Sequence, residues 1–418
     1  MQWLLIFFYC ALVCFCISRL KFFKNSGIKI QWWCAAFLMK VAVGILYGYI
    51  HSQSSAGGDT WCFFRQGMRI HSFIARFGVS DYLKMVFLPC REPIYHGLER
   101  WSNDFHYGDE SNYLLVRFHA LAALISFGYY NVHVVFYNLI SFAGVALLYS
   151  SFRKELGEKA GWVLIALCCI PGIAFWTSGM HKDGMALLGI ALLFFSVMNP
   201  RKSFFLNSLI ALGGIALLLI VRPYIVFLFI PFMAVYYFFG KEKKHLLWYY
   251  LTSAVLFFVF LLSLNSIIPG FSLLERIVWW QQEFCKLVST SNTLYIPPLH
   301  ANIVSFLSVL PYAFDHSLLR PYFWDSKNVF QIISSVHDLL LLIIFIVVVI
   351  YSIRKKNKPS HLFYLSKGYV ITLYGLLGLI VPNLGALVRY KSTGTFFFAL
   401  AIICLLPKDF YKKIFRRN

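Results

Sequence analysis

The feature that most constrains this chain is the recurrence, along its whole length, of apolar runs as long as a bilayer is thick. Residues 204–221 hold no charged side chain, and residues 329–353 hold only Asp338. About 20 apolar residues suffice to cross a hydrocarbon core of roughly 30 Å. Backbone amides at that depth find no water, so such a run satisfies itself as a helix. Composition agrees: 60% of 418 residues are hydrophobic, 13% are charged, and mean hydropathy is +0.69. A soluble domain carries about 25% charged residues. The expected fold class is an all-α polytopic membrane protein, with residues 1–418 forming a single membrane domain.

Eleven spans are expected, near residues 2–18, 30–50, 130–151, 161–178, 184–198, 204–221, 224–239, 246–267, 329–353, 368–382 and 394–407. Lys and Arg cluster in one set of short connections: Arg19 to Lys29, Arg153/Lys154/Lys159, Arg201/Lys202, Lys241 to Lys244, Arg354 to Lys367, and the tail from Lys408. The positive-inside rule makes that side cytoplasmic. The N-terminus then lies outside and the C-terminus inside, as in a multi-pass protein of a bacterial inner membrane. All acidic residues except Glu155, Glu158, Glu242 and Asp409 fall on or near the other side. The outer loops are residues 51–129, with an interfacial helix at 113–128, and residues 268–328, with an interfacial helix at 299–319. The first span lacks a basic leader and an A-x-A site, and reads as a retained helix. The net charge of +21 raises nucleic acid as a partner. Its placement in short loops, without zinc spacing or an aromatic-plus-basic platform, argues for a lipid bilayer instead. The ten cysteines are scattered and form no framework.

Five polar groups stand at the outer ends of spans: Gly58-Asp59, His181-Lys182-Asp183, Arg222-Pro223-Tyr224, Arg320-Pro-Tyr-Phe-Trp324, and Asn383 to Arg389-Tyr-Lys391. Arg and Lys at headgroup depth suit the oxygens of a lipid phosphate. Snorkelling and interfacial anchoring explain each cation singly, but less easily all of them on one face. Asp59, just past the second span, is the candidate catalytic carboxylate, able to take a hydroxyl proton or hold a metal. It is equally placed to cap a following helix. Arg65 and Arg69 follow at near-helical spacing, for phosphate contact or pairing with Asp59. Asp59, Asp104 and Asp109 are the candidates for a divalent cation, though no cofactor is required and the latter two also suit a solvated loop. His96, His106 and His119 lack ligand spacing. Lys40 and His337-Asp338 lie deep in spans, where buried charge marks function or a structural pair, Lys40 with Asp338 among the pairs conceivable.

A large first outer loop bearing an Asp, interfacial helices, and Phe127-Gly128 followed by Asn131–Tyr149 and Arg153-Lys154 resemble the GT-C superfamily of integral-membrane glycosyltransferases. Pro171-Gly-Ile-Ala-Phe-Trp-Thr-Ser-Gly-Met-His-Lys-Asp183, Arg320 to Trp324, and Asn383 to Lys391 resemble segments of bacterial surface-polysaccharide membrane proteins. The likeness implies transfer from a polyprenyl-phosphate-linked sugar, such as an undecaprenyl phosphate sugar, to a glycan or lipid-linked acceptor at the outer face. It implies Asp59 as base or metal contact, with Lys182, Asp183, Arg222, Arg320, Arg389 and Lys391 at the substrate. In that superfamily the Asp commonly follows the first span; here it follows the second, with no Asp-x-Asp or Glu-x-Asp pair. The alternatives are a Wzy-type repeat-unit polymerase, a lipid-linked sugar flippase or transporter, and a non-catalytic assembly partner. A transporter calls for a polar path to the cytoplasmic face, and the inner halves of the spans are almost uniformly apolar.

Overall fold

The computed structural model describes residues 1–53, 58–88, 109–199, 203–242, 244–286, 294–326 and 329–407. Among these residues the chain is helical, with no strand. Its contacts divide it into two compact units. The first comprises residues 1–154 and 174–223, and the second residues 155–173 and 224–407.

In chain order the first stretch holds α1 (Gln2–Arg19), α2 (Lys21–Lys24), α3 (Ile30–Ser52), α4 (Gly58–His71), α5 (Phe73–Phe77), α6 (Val79–Phe87), α7 (Glu110–Ser126) and α8 (Tyr130–Leu156). Next come α9 (Gly161–Cys169), α10 (Pro171–Ser178), α11 (Lys182–Met198) and α12 (Phe204–Val221). The remainder is α13 (Pro223–Phe239), α14 (Leu246–Ile267), α15 (Leu273–Lys286), α16 (Ile303–Phe314), α17 (Val329–Arg354), α18 (His361–Ile380), α19 (Leu384–Tyr390) and α20 (Ser392–Leu405).

Local sequence sets several of these ends. The Asp109 carboxylate accepts the Ser111 and Asn112 amides and starts α7, which closes on Phe127 and Gly128 at positive φ. Ser203 and Ser360 cap α12 and α18 in the same way. α12 stops at Arg222 because Pro223 disfavours a helical residue before it.

Among the described residues, seven helices are long and apolar enough to cross a membrane, or nine if each bent pair is one span. The expectation of eleven differs for reasons of length and bending. Pro171–Ser178 and Lys182–Met198 are one pair bent by 102°, and Leu384–Tyr390 with Ser392–Leu405 is another bent by 49°. Pro223–Phe239, at 17 residues, falls just short. Tyr130–Cys169 is a single helical run of 40 residues, about 60 Å at 1.5 Å per residue and so twice a bilayer core. Gly157, at φ 58°, and the 3₁₀ turn Gly157–Ala160 interrupt it where the basic turn divided the two expected spans.

The helix expected at 113–128 is α7, which begins at Glu110 and packs along α4, where Gly67 lies against Val116, His119 and Ala120. Leu121, Leu124 and Ile125 form its exposed apolar edge. The segment 299–319 is α16 continued by a π-helical turn, Asp315–Leu319.

Each unit has its own aromatic core. Trp33, Phe37, Phe142 and Tyr149 meet edge-to-face in the first. In the second, Phe229 stacks on Tyr369 at 3.8 Å, with Phe397 across both. Close approach by glycine sets the spacing between α16 and α18. A Cβ on Gly378 would fall on the Ala313 carbonyl, whereas one on Gly375 would meet only Phe314 Cζ at 3.6 Å. Backbone cannot rotate away as a side chain can. Gly378→Ala should therefore cost about 1–3 kcal/mol, visible as a lowered melting temperature of the detergent-solubilised protein, while Gly375→Ala leaves it within about 1 °C.

Candidate functional site

The first unit gathers three of the five polar groups. α4 begins at Gly58, so Asp59 sits in its first turn, where the helix dipole favours a negative charge. Its side chain is 61% exposed, and Oδ2 lies 3.0 Å from Nε2 of His181, which is only 2% exposed. The Lys182 amide donates to the other ring nitrogen, Nδ1, at 2.8 Å, so that His181 caps α11. With Nδ1 accepting, the ring proton belongs on Nε2 and points at Asp59. One carboxylate oxygen is thereby held, while the side chain as a whole stays largely exposed.

Behind His181 stands a buried pair. Asp183 is in the first turn of α11, 3.2 Å from Arg222 Nη2, and both side chains are at most 10% exposed. Asp183 Oδ2 lies 3.9 Å from His181 Nδ1. The phenol of Tyr137 donates to the His181 carbonyl and accepts the Gly184 amide at 3.1 Å, pinning the turn from α8. Phe63, one turn along α4 from Asp59, packs edge-on against the His181 ring.

Lys182 points to α7. Its ammonium donates to the Ser111 hydroxyl at 2.5 Å and lies 3.6 Å from Asp109. Burial works to raise the Asp109 pKa. The Ser111 hydroxyl, Lys182 and the Asn112 and Ser111 amides outweigh it, so the carboxyl stays below its usual range. The tie to Lys182 is thus fully present at neutral pH and is lost only as pH falls through that lowered value.

Arg65 and Arg69 lie on α4, where 100° per residue puts them about 40° apart and Arg65 about 120° round from Asp59. They form a face of their own, beside Asp59. Two residues beyond Asp59, Trp61 opens an apolar groove of about 640 Å³, walled by Trp3, Leu46, Tyr49, Phe64 and Tyr130. Trp61 is fixed there by stacking on Tyr130 at 3.8 Å and by donating to the Gly48 carbonyl.

The second unit holds the other two groups. Lys391, at the bend between α19 and α20, is 2% exposed and pairs with Asp338 at 2.5 Å. It also donates to the Arg320 carbonyl at 2.8 Å. His337 lies 3.0 Å from the other Asp338 oxygen. The Arg320 side chain is clamped between Asp315 at 3.2 Å and Asp325 at 2.8 Å. Arg389 lies on α19, 5.6 Å from the ring of its neighbour Tyr390.

Lys182, Arg222, Arg320 and Lys391, all expected at a lipid phosphate, are thus each found in an ion pair. Lys40 and Asp338 also have separate partners: Lys40 donates to the hydroxyls of Thr177 at 3.0 Å and Ser178 at 3.1 Å, while Asp338 takes Lys391 and His337. Among the described residues no group of three or more His, Cys, Asp or Glu is placed to hold a metal ion. Asp104, His96 and His106 lie outside the described residues. His119 is buried in α7 with Nδ1 2.9 Å from His133 Nδ1. Sequence reasoning overlooked the linking role of His181 and the acids flanking Arg320, although all three were visible as charged or titratable residues in apolar surroundings.

No family model matches the chain, and neither a curated protein nor a solved structure shows significant similarity to it.

The buried Asp183–Arg222 pair generates a prediction. Asp183→Asn leaves a buried guanidinium uncompensated and should destabilise the protein by about 3–5 kcal/mol. The double variant Asp183→Asn/Arg222→Met should recover most of that loss, as measured by thermal unfolding in detergent.

Proposed function

We propose that the chain is a membrane glycosyltransferase that takes a polyprenyl-phosphate-linked sugar at the extracytoplasmic face and builds a surface glycan. The observation that carries this reading is the exposed Asp59 carboxylate, held from behind by the buried His181. A ring N–H donated to one oxygen fixes the orientation of the carboxylate. In the transfer, the acceptor hydroxyl donates to the exposed Asp59 carboxylate and its proton moves there as the hydroxyl oxygen attacks the anomeric carbon. The bond from that carbon to the phosphate oxygen breaks, and its electron pair leaves with the phosphate. The step as written draws on no metal.

Asp183 and Arg222 hold the turn that carries His181, and are positioning residues. Arg65 and Arg69 would meet the phosphate; their face on α4 begins about 9 Å along the axis from Asp59. The groove beside Trp61 runs along α3 from Ala42 to Ser52, about 15 Å, and its volume is in the range of lipid and cofactor sites. It suits part of an isoprenoid chain whose head would then lie near Asp59. The extracytoplasmic placement rests on the distribution of basic loops. An acceptor hydroxyl on a second lipid-linked repeat would make the same chemistry a polymerisation.

Asp59→Asn should abolish the surface glycan in a deletion strain and lower transfer in membranes by about 10²–10⁴-fold. Asp59→Glu should restore a measurable part, with both variants eluting as folded protein. Full restoration of the glycan by folded Asp59→Asn would end the reading.

A further inference from the structure

The segment from Asp315 to Asp325 has properties that phosphate binding does not explain. Trp324 is 79% exposed, yet its ring is not free to wander: it stacks on Tyr322 at 4.8 Å and 17°. The Tyr322 hydroxyl donates to Asp315 at 2.5 Å, and Arg320 lies 5.1 Å from the same ring. Asp315 and Asp325 grip Arg320 from two sides, and the Arg320 carbonyl is held by buried Lys391. The aromatic pair is therefore preorganised by a chain of polar bonds, which lowers the ordering cost of a contact made on its open face.

Two carboxylates and one guanidinium leave the group a net charge of −1. An anion is repelled there. A neutral, hydroxyl-rich ring is not, because its C–H bonds pack on an indole face while its hydroxyls donate to carboxylate oxygens that still have lone pairs. Asp315 and Asp325 remain 35% and 24% exposed, so those oxygens are within reach of a ligand. Beneath them, His316 is 3% exposed, and its Nδ1 has no hydrogen-bond partner among the described residues. Burial, and then Arg320, hold that imidazole below its usual pKa, so it stands neutral beside Asp315. An anchor in the headgroup layer needs an apolar ring but no such clamp.

We propose that the Tyr322–Trp324 stack, edged by Asp315, Asp325 and Arg320, is a binding subsite for a saccharide ring. The subsite rests on the glycan-building reading above, which supplies the class of sugar it would hold.

The probe is the host's own surface glycan, released by mild acid and sized to oligosaccharides. It is titrated by calorimetry into the full-length protein in nanodiscs, with saturation-transfer NMR to detect ring contacts. Wild type and Trp324→Phe should bind. Trp324→Ala and Trp324→Leu should bind about tenfold more weakly, and Asp325→Asn should also lose affinity. Because Trp324 is so exposed, these variants should fold as wild type. Leucine keeps the apolar bulk of an anchor without a π face, so wild-type affinity in Trp324→Leu would show an anchor only and overturn the proposal. Absence of any oligosaccharide binding to wild type would also overturn it. Asp59→Asn should bind as wild type. If it also transferred sugar normally, the assignment of Asp59 would fail while this subsite stood.

Discussion

A helix that breaks inside an apolar interior leaves backbone groups with no water to satisfy them, and the first unit is arranged around one such break. Between Ser178 and Lys182 the chain turns by 102°. The carbonyls that end α10 are met by Asn138 at 3.0 Å and Ser141 at 2.6 Å from α8. Lys40, from the middle of α3, covers the same end through the Thr177 and Ser178 hydroxyls, a cation where the helix dipole is negative. On the other side His181 and Tyr137 satisfy the amides that begin α11. The groups required to stabilise the break also deliver His181 to Asp59. In this turn, structural satisfaction and the candidate chemistry are the same set of bonds.

The second theme is compensation of charge. A cation buried alone near hydrocarbon is costly, and the chain answers by pairing: Arg222 with Asp183, Lys391 with Asp338, Arg320 with two aspartates. In these pairs each cation lies against a carboxylate of the protein itself. They leave exposed carboxylate and aromatic surface.

Much of this was legible in the sequence in part. Charged residues at span ends stand out against apolar surroundings, which is why Asp59, Asp183, Arg222, Arg320 and Lys391 were all recognisable. The partners of Asp59, Asp183, Arg222 and Lys391 were not, because those pairings join residues 39, 53 and 122 positions apart and local spacing carries no trace of them, whereas both acids beside Arg320 lie within five positions of it. The count of spans differs between the sequence and the structure because it depends on whether Tyr130–Cys169 is one run or two, and on how the bent pairs and the 17-residue Pro223–Phe239 are taken. At Asp109 the reverse held: Asp-Glu-Ser-Asn before an apolar run is a helix-start pattern, and its cap is formed as such a pattern dictates. What that pattern could not foretell was that Lys182 would reach across to the same aspartate.

Lys40 carries one further consequence, in time rather than space. Its hydroxyl partners lie 137 and 138 residues later in the chain. At about 5–20 residues per second of synthesis, on the order of ten seconds separates the emergence of α3 from that of Thr177 and Ser178. During that interval the ammonium lacks those two ligands. The bond that ties α3 to α10 therefore closes only after the later helix has been made.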